Sequence, residues 1–115
     1  MRLLSKPFED GFIMPAEFEP HSGCLMLWPY RRDNWREQAI PAAKAFATVA
    51  NLISTSEQVY MGIYKESVEI AKRLLSSHIQ LIELDYNDSW MRDIGPTFVK
   101  NRSTKQIRAI DWNFN

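Results

Sequence analysis

Two carboxylates, an arginine and a tryptophan occur together in one short segment, Asn87 to Asp93. The turn signal Gly95-Pro96 follows shortly after it. A carboxylate can accept two parallel hydrogen bonds from a guanidinium, and the face of an indole attracts the same flat cation. These residue types therefore indicate a site for a guanidinium group, with Asp88, Trp90 and Asp93 as the candidate binding residues.

The same residues also have purely structural interpretations. Arg92 and Asp93 could form an exposed ion pair of negligible strength, Trp90 could belong to the core, and Asp88 could cap a turn. On extended backbone Trp90 and Asp93 would face opposite sides, as would the neighbours Arg92 and Asp93. Trp90 and Asp93 can therefore share a pocket only if the segment turns, and residue chemistry alone leaves both interpretations open.

The candidate segment lies between two stretches that predict strands. The apolar run Ile79 to Leu84 before it is typical of a buried strand, and Thr97 to Lys100 after it predicts another. Two earlier apolar runs, Cys24 to Trp28 and Val59 to Ile63, predict further buried strands. Asn87 to Asp93 is therefore predicted to be irregular backbone between two strands, and open α/β proteins bind ligands in the loops at the carboxyl ends of parallel strands.

Two helices are predicted between the first three of these strands. Pro41 suits the first turn of a helix that extends to Ser54, and Ser67 can cap a second helix that extends to about Ser76. The first helix should bury the positions i, i+3, i+4 and i+7, which are Phe46, Val49, Ala50 and Ile53. The second should bury its own apolar stripe, which consists of Val68, Ala71, Leu74 and Leu75.

The alternation of strands and helices predicts a short parallel sheet with crossover helices. Beyond the candidate segment, Thr97 to Lys100 and Gln106 to Trp112 should form an antiparallel hairpin. Residues 1–22 contain several prolines and acidic residues and are predicted to be extended and irregular. Trp35 lies in a polar loop, and we expect it to anchor that loop onto the core.

Composition excludes several classes of protein. The 115 residues fit one domain, and 14 basic residues balance 14 acidic ones, so no basic field for nucleic acid or anionic lipid exists. The single cysteine excludes a disulfide framework and a cysteine-rich zinc site. No apolar run is long enough to span a membrane. These features predict a soluble, cytoplasmic protein.

The single cysteine, Cys24, is a poor candidate nucleophile. It lies inside an apolar run without a charged neighbour that would lower its pKa, and burial raises the pKa of a thiol. It is therefore assigned to the core. His21 and His78 stand apart from each other, and neither has the spacing of a metal pair.

Four segments of the chain together resemble one known family. They are Gly11 to His21, Met26 to Pro29 with Asp33 to Arg36, Asn87 to Val99, and Ile110 to Asn115. In order and approximate spacing they closely resemble the start of the agmatine deiminases, which are members of the porphyromonas-type peptidylarginine deiminase family. The segments cover nearly the whole chain, so the resemblance is specific.

The resemblance implies an α/β fold of the pentein type. Family members are roughly three times as long and form a five-bladed α/β propeller with the active site at its centre. Residues 1–115 would be the amino-terminal part of one deiminase domain. They would form its first module, incomplete, with a short parallel sheet, two helices and a terminal hairpin. Apolar surface that neighbouring modules cover would then be exposed in this chain.

The resemblance also implies a reaction. In the family a cysteine near the carboxyl terminus attacks the guanidinium carbon of agmatine, ammonia leaves, and water hydrolyses the thiouronium intermediate to N-carbamoylputrescine, toward putrescine. By motif position, Asp93 matches the guanidinium-binding aspartate and Trp90 the tryptophan that lines the substrate channel. The cysteine nucleophile and the histidine that serves as general acid and base have no counterpart here. The chain alone is therefore expected to be inactive, and neither cofactor nor metal is expected.

Two alternatives stay open at this point. A deiminase of free or peptidyl arginine would hold the guanidinium with the same aspartate, and the far end of the substrate would decide between the two. A non-catalytic α/β binding module or a truncated gene product would keep the pocket without the nucleophile. The sequence also leaves open whether Asn115 is a biological terminus and which oligomer forms, although family members commonly form dimers or larger assemblies.

Overall fold

The computed structural model describes residues 3–113. Two compact units make up the chain. One is His21–Asp93, and the other combines the residues up to Pro20 with those from Ile94 onward. The last two residues of the resembling segment Ile110 to Asn115 lie outside the described residues. The assignment of residues 1–115 to one deiminase domain stays a prediction.

The unit His21–Asp93 contains a parallel sheet of three strands. They are β2 (Cys24–Leu27), β3 (Val59–Ile63) and β4 (Gln80–Glu83), in the order β2-β3-β4. Cys24 pairs with Val59 and Tyr60 with Gln80, both in parallel register. The predicted parallel sheet is confirmed.

Helices connect the strands of this sheet, as predicted. Helix α1 spans Ile40–Ile53 and helix α2 spans Val68–Leu74. Ser67 stands at the start of α2, but its side chain makes no capping hydrogen bond, so the predicted cap is wrong. The short 3-10 turn Lys65–Ser67 leads directly into α2 and accounts for this difference, because its backbone already continues into the helix.

The core lies between α1, α2 and the sheet. Helix α1 buries three alanines, Ala43, Ala47 and Ala50, whereas Val49 is exposed. The predicted stripe of α1 is therefore wrong at Val49, because small side chains let the helix approach the sheet closely. The predicted stripe of α2 is confirmed, since its members are buried or packed against the core: Val68, Ala71, Leu74 and Leu75.

Strand β4 differs from the prediction of a buried strand. Ile79 just before it is buried, but Gln80, Ile82 and Glu83 are exposed. The physical reason is its position, because β4 pairs with β3 on one side and with no other strand in the described part of the chain. An apolar run has the same sequence pattern whether its strand is central or at an edge.

The second unit contains an antiparallel sheet. Strands β5 (Thr97–Asn101) and β6 (Ile107–Ile110) form the predicted hairpin, and Thr97 pairs with Ile110. The two-residue strand β1 (Phe12–Ile13) pairs antiparallel with β5. Residues 1–22 were expected to be irregular, and β1 corrects that expectation. A strand this short is specified by its partner, so the local sequence carries no signal for it.

Ion pairs connect the amino-terminal segment to this hairpin. Arg108 of β6 donates to Asp10 at 2.6 Å, and its guanidinium lies 3.9 Å from the centre of the Phe12 ring. Lys100 of β5 forms an ion pair with Glu19. These contacts tie the chain to the hairpin on both sides of β1, at Asp10 before it and at Glu19 after it. Within residues 3–113, no helix has the length and apolar character needed to cross a membrane.

Candidate guanidinium-binding site

The candidate segment follows β4 and ends in a short helix. Leu84 extends the pairing of β4 by one hydrogen bond, from its N–H to the carbonyl of Ile63 at 3.1 Å. Helix α3 spans Met91–Ile94. The prediction of irregular backbone holds before Met91 and is wrong from there on. The segment therefore turns between Trp90 and Asp93, which is the condition for these two side chains to share a pocket.

Tyr86 anchors the start of the segment to the end of β2. Its ring is almost completely buried, and its hydroxyl donates to the carbonyl of Trp28 at 2.6 Å. Its own main-chain carbonyl accepts hydrogen bonds from the hydroxyls of Tyr30 and Tyr64, both at 2.7 Å. The N–H of Tyr86 also donates to the Tyr64 hydroxyl at 3.1 Å. Both polar groups of this buried backbone position are therefore satisfied.

The three tyrosine rings pack against one another. The Tyr30 centroid lies 4.3 Å from that of Tyr64 and 5.2 Å from that of Tyr86. The hydrogen-bonding hydroxyl of Tyr64, followed by burial, raises the pKa of Tyr30 to about 12. Burial is the main cause of the raised pKa of Tyr86. Both hydroxyls therefore stay protonated, and able to donate, across the physiological range.

Sequence reasoning missed this tyrosine cluster. Each ring follows one of the parallel strands: Tyr30 comes after β2, Tyr64 directly after β3, and Tyr86 after β4. The carboxyl ends of parallel strands meet at one edge of a sheet. A tyrosine shortly after each of three predicted parallel strands was the available signal.

Ser89 provides a second anchor for the segment. It is buried, with 5% of its surface exposed, and its hydroxyl donates to the carbonyl of Trp28 at 3.3 Å. The N–H of Ser89 donates to one carboxylate oxygen of the neighbouring Asp88 at 2.7 Å. Asp88 is half-buried, and through this contact it bonds to the backbone of the next residue. It occupies one of the two carboxylate oxygens.

Arg31 contacts Asn87, which lies between the two anchors Tyr86 and Ser89. Its Nη1 donates to the Asn87 side chain at 3.4 Å, and its Nε and Nη2 donate to the two oxygens of Asp33 at 3.1 and 2.6 Å. The bidentate contact lowers the pKa of Asp33 and raises that of Arg31. Asp33 therefore compensates the positive charge that Arg31 brings beside the segment.

Trp90 packs against the indole of Trp35. The two ring centroids lie 5.8 Å apart with a 46° tilt, and Trp35 contacts Phe46 of α1 edge-on at 6.0 Å. This contact ties the loop of Trp35 to α1, but Phe46 lies outside the core cluster, so the expectation that Trp35 anchors its loop onto the core stays a prediction. Half of the Trp90 surface stays exposed, so Trp90 is not a core residue. Its exposed part remains available for stacking.

Asp93 lies one helical turn after Trp90. Its N–H donates to the Trp90 carbonyl at 3.0 Å, and its side chain is exposed. The carboxylate forms neither a hydrogen bond nor an ion pair with any described residue. Arg92 and Asp93 stand on helical backbone, so the extended backbone on which opposite faces were expected is wrong. The bond from the Asp93 N–H to the Trp90 carbonyl closes a turn that brings the backbones of these two residues together.

Two further findings limit the chemistry of this unit. Burial, together with the charge of Glu57, raises the pKa of the Cys24 thiol, and Cys24 packs against the core cluster as expected. Among residues 3–113 no group of three or more potential ligands could hold a metal ion. A cleft of about 440 Å³ lies near Trp28, Tyr30 and Tyr64, but the candidate binding residues do not line it.

The sequence profile described as Porphyromonas-type peptidyl-arginine deiminase matches residues 13–115. The chain belongs to this family. A protein of Pectobacterium atrosepticum that is assigned as an agmatine deiminase is 46% identical over 112 residues, which are 97% of this chain and 30% of that protein. One from Mycoplasma capricolum with the same assignment is 48% identical over 114 residues, 99% of this chain and 31% of that protein.

Solved structures of the deiminase family share the fold. An agmatine deiminase of Enterococcus faecalis superimposes with a TM-score of 0.93 at 40% identity, covering 99% of this chain and 31% of that one. A protein of Porphyromonas gingivalis assigned as an arginine deiminase gives 0.71 at 21% identity, over 90% of this chain and 31% of that one, and shows the fold alone. The predicted family and its α/β fold are confirmed. The chain spans about 30% of the length of the curated relatives it matches.

Proposed function

We propose that this chain supplies part of the substrate site of an agmatine deiminase. The complete enzyme would hydrolyse the guanidinium of agmatine to N-carbamoylputrescine and ammonia. Asp93, Trp90 and Asp88 would contact the guanidinium end of the substrate. The observation that carries the proposal is the presence of two groups on one turn of the chain: the exposed carboxylate of Asp93, which bonds to no described residue, and the half-exposed indole of Trp90 three residues before it.

The chemistry of these two groups supports a guanidinium ligand. A free carboxylate offers two oxygens to two parallel N–H donors, and the exposed part of the Trp90 indole offers a face for the same planar cation. Arg31, the cation that contacts Asn87 in the segment before α3, is already paired with Asp33. Its charge is therefore largely neutralised for an incoming cation.

The covalent chemistry would belong to residues outside this chain. A thiolate would form a bond to the guanidinium carbon, ammonia would leave with a proton from a general acid, and water would displace the thiolate to give the ureido product. Cys24 does not suit the first step, because burial and Glu57 raise its pKa and disfavour the thiolate. This chain would thus contribute to substrate binding, and the rest of the same enzyme would carry out the covalent steps.

The proposal extends to architecture and location. The parallel sheet and the hairpin would belong to the first module of a five-bladed pentein propeller, in a cytoplasmic enzyme of polyamine metabolism that assembles with copies of itself. Support comes from the E. faecalis structure, whose chain is about three times as long as the matched part. A crystal structure of the complete gene product tests this part directly.

The decisive experiment is Asp93→Asn in the complete gene product. The change keeps the shape of the side chain but removes its charge and replaces one acceptor oxygen with a donor that opposes a guanidinium N–H. We expect a loss on the order of a thousandfold in kcat/KM for agmatine, since a charge partner that the bound substrate desolvates is worth several kcal/mol. Asp85→Asn, an exposed aspartate that also follows β4, is the matched control and should stay near wild type.

Two further measurements complete this test. The gene should encode, beyond the codon for Asn115, a His-x-Asp segment and a late cysteine, and the 115-residue chain alone should release no ammonia from agmatine. Absence of both coding features would contradict the catalytic proposal and favour a binding module. Faster turnover of arginine than of agmatine would contradict the proposed substrate. Equal activity of the Asp93 and Asp85 variants would contradict the site.

A further inference from the structure

Two main-chain carbonyls at the carboxyl edge of the parallel sheet each accept two hydroxyl groups. The Trp28 carbonyl accepts from Tyr86 at 2.6 Å and from Ser89 at 3.3 Å. The Tyr86 carbonyl accepts from Tyr30 and from Tyr64, both at 2.7 Å. Both lone pairs of each carbonyl oxygen are thus in use. The four bonds connect the ends of β2 and β3 to the segment that carries the candidate binding residues.

Two of these four bonds end at the Tyr86 carbonyl, at the start of the candidate segment's backbone. Tyr30 follows β2 and Tyr64 follows β3, so one oxygen is held from two different strands. Asp88 lies two residues beyond it, between the anchored positions Tyr86 and Ser89. Because both flanking positions are tied to the sheet, the backbone of Asp88 has little freedom to move.

We propose that Tyr30 and Tyr64 are positioning residues, which hold the segment of Asp88, Trp90 and Asp93 through the Tyr86 carbonyl. Their contribution to substrate binding rests on the function proposed above. Their effect on the segment does not, because it is a property of the chain without ligand. Neither tyrosine is assigned to contact the substrate, so both act through the backbone that they fix.

A purely structural role predicts a different pattern. If the tyrosines only contributed to global stability, removing their hydroxyls would loosen the whole unit equally. If they position the segment, the loss concentrates beyond Tyr86. The N–H of Ser89 separates the two cases, because it is buried and donates to Asp88 and not to either tyrosine hydroxyl. The N–H of Met61, on the central strand β3 and fully buried, reports global opening.

The test is amide hydrogen exchange by NMR on the 115-residue chain with Tyr30→Phe, Tyr64→Phe and the double variant. Each change keeps the ring and removes one donor to the Tyr86 carbonyl. In the double variant we expect exchange at Ser89 to rise at least about tenfold more than exchange at Met61, since three hydrogen bonds are lost: two to the Tyr86 carbonyl and one from the Tyr86 N–H. Tyr30→Phe, which loses one bond, should give about a threefold difference, and Tyr64→Phe, which loses two, should give a larger one. The singles keep one donor, so they decide the question if the double variant fails to fold.

Tyr60→Phe is the matched control. Tyr60 lies on β3, and its hydroxyl makes no hydrogen bond to any residue in the described range, so its variant should leave both amides unchanged. Equal changes at Ser89 and Met61 in the Tyr30 and Tyr64 variants would overturn the inference, as would no change at Ser89.

Kinetics on the complete gene product connect the positioning to substrate binding. The double variant should lower kcat/KM for agmatine about tenfold, mainly through KM, and Tyr60→Phe should not. A wild-type protein that neither binds nor turns over agmatine would refute the proposed function. The positioning role of the tyrosines would then be decided by the exchange experiment alone. Altered exchange at Ser89 with unchanged kinetics in an active enzyme would overturn the link to binding.

Discussion

Replacing Gly62 by alanine should destabilise the parallel sheet measurably. Gly62 stands opposite Leu27 in the pairing of β2 and β3. A Cβ atom at this position would lie 2.6 Å from Leu27 Cδ2 and 3.0 Å from Leu84 Cδ2. Carbon atoms in contact normally lie about 3.5–4.0 Å apart, so both leucines must move.

The magnitude follows from where the two leucines are. Leu84 is 38% exposed and can rotate into solvent, whereas Leu27 is only 3% exposed and is surrounded by packed atoms. Overpacking of this kind costs about 1–3 kcal/mol, and the immobile Leu27 places the change at about 2 kcal/mol. With ordinary urea m-values, the unfolding midpoint should fall by about 1 M.

Urea unfolding followed by circular dichroism, at low protein concentration, measures this effect. The clash with Leu27 predicts a specific rescue: Gly62→Ala and Leu27→Ala together should cost less than the sum of the separate changes, by about 1 kcal/mol or more. Leu84→Ala should show a weaker coupling. An unchanged midpoint, or full additivity with Leu27→Ala, would refute the steric reasoning.

Two further predictions concern titrating groups. Because burial and then Glu57 raise the pKa of the Cys24 thiol, iodoacetamide at neutral pH should label Cys24 more slowly than free cysteine, and Glu57→Gln should accelerate labelling; equal rates for Cys24 and free cysteine would contradict the assignment. The hydrogen bond from Arg108 lowers the pKa of Asp10 below its usual 3.8, so its contribution to stability is present at neutral pH and is lost as the pH falls through the lowered pKa. Thermal melts between about pH 5 and pH 2 should show a smaller acid loss for Asp10→Asn than for wild type, and parallel curves would contradict this.

The central part of the fold could be predicted because its sequence pattern is local. The apolar runs at Cys24 to Trp28 and Val59 to Ile63 correspond to β2 and β3, and both strands contribute side chains to the core cluster or pack against it. The hairpin of β5 and β6 was also predictable, because both strands are adjacent in the sequence. In each case the signal and the structure lie within one short stretch.

The errors arise where the structure depends on distant residues. Strand β1 exists because β5 pairs with it, and β5 lies more than eighty residues later. The face of α1 was misjudged at Val49, since hydrophobicity ranks valine above alanine while close packing on a sheet favours Ala47 and Ala50. Neither pairing nor packing distance can be deduced from a local hydropathy pattern.

In the candidate site, too, some features have a local sequence signal and others depend on distant residues. The guanidinium-binding residue types of Asp88, Trp90 and Asp93 could be recognised from their chemistry and spacing. The backbone that carries them could not, because its two anchors at Tyr86 and Ser89 bond to residues about sixty positions earlier. Three tyrosines that are scattered in the sequence become one cluster only through the parallel order of the strands.

The edge position of β4 bears on how the protein is made in a cell. Within the described residues, the outer side of β4 offers unpaired main-chain groups, and Ile82 and Leu84 are exposed beside them. Such an edge accepts a strand from another molecule as readily as from its own chain. During synthesis, pairing of this edge within one molecule therefore competes with pairing between two newly made copies. The yield of usable protein should then follow the translation rate and the local crowding of nascent chains, even if the finished sheet is stable.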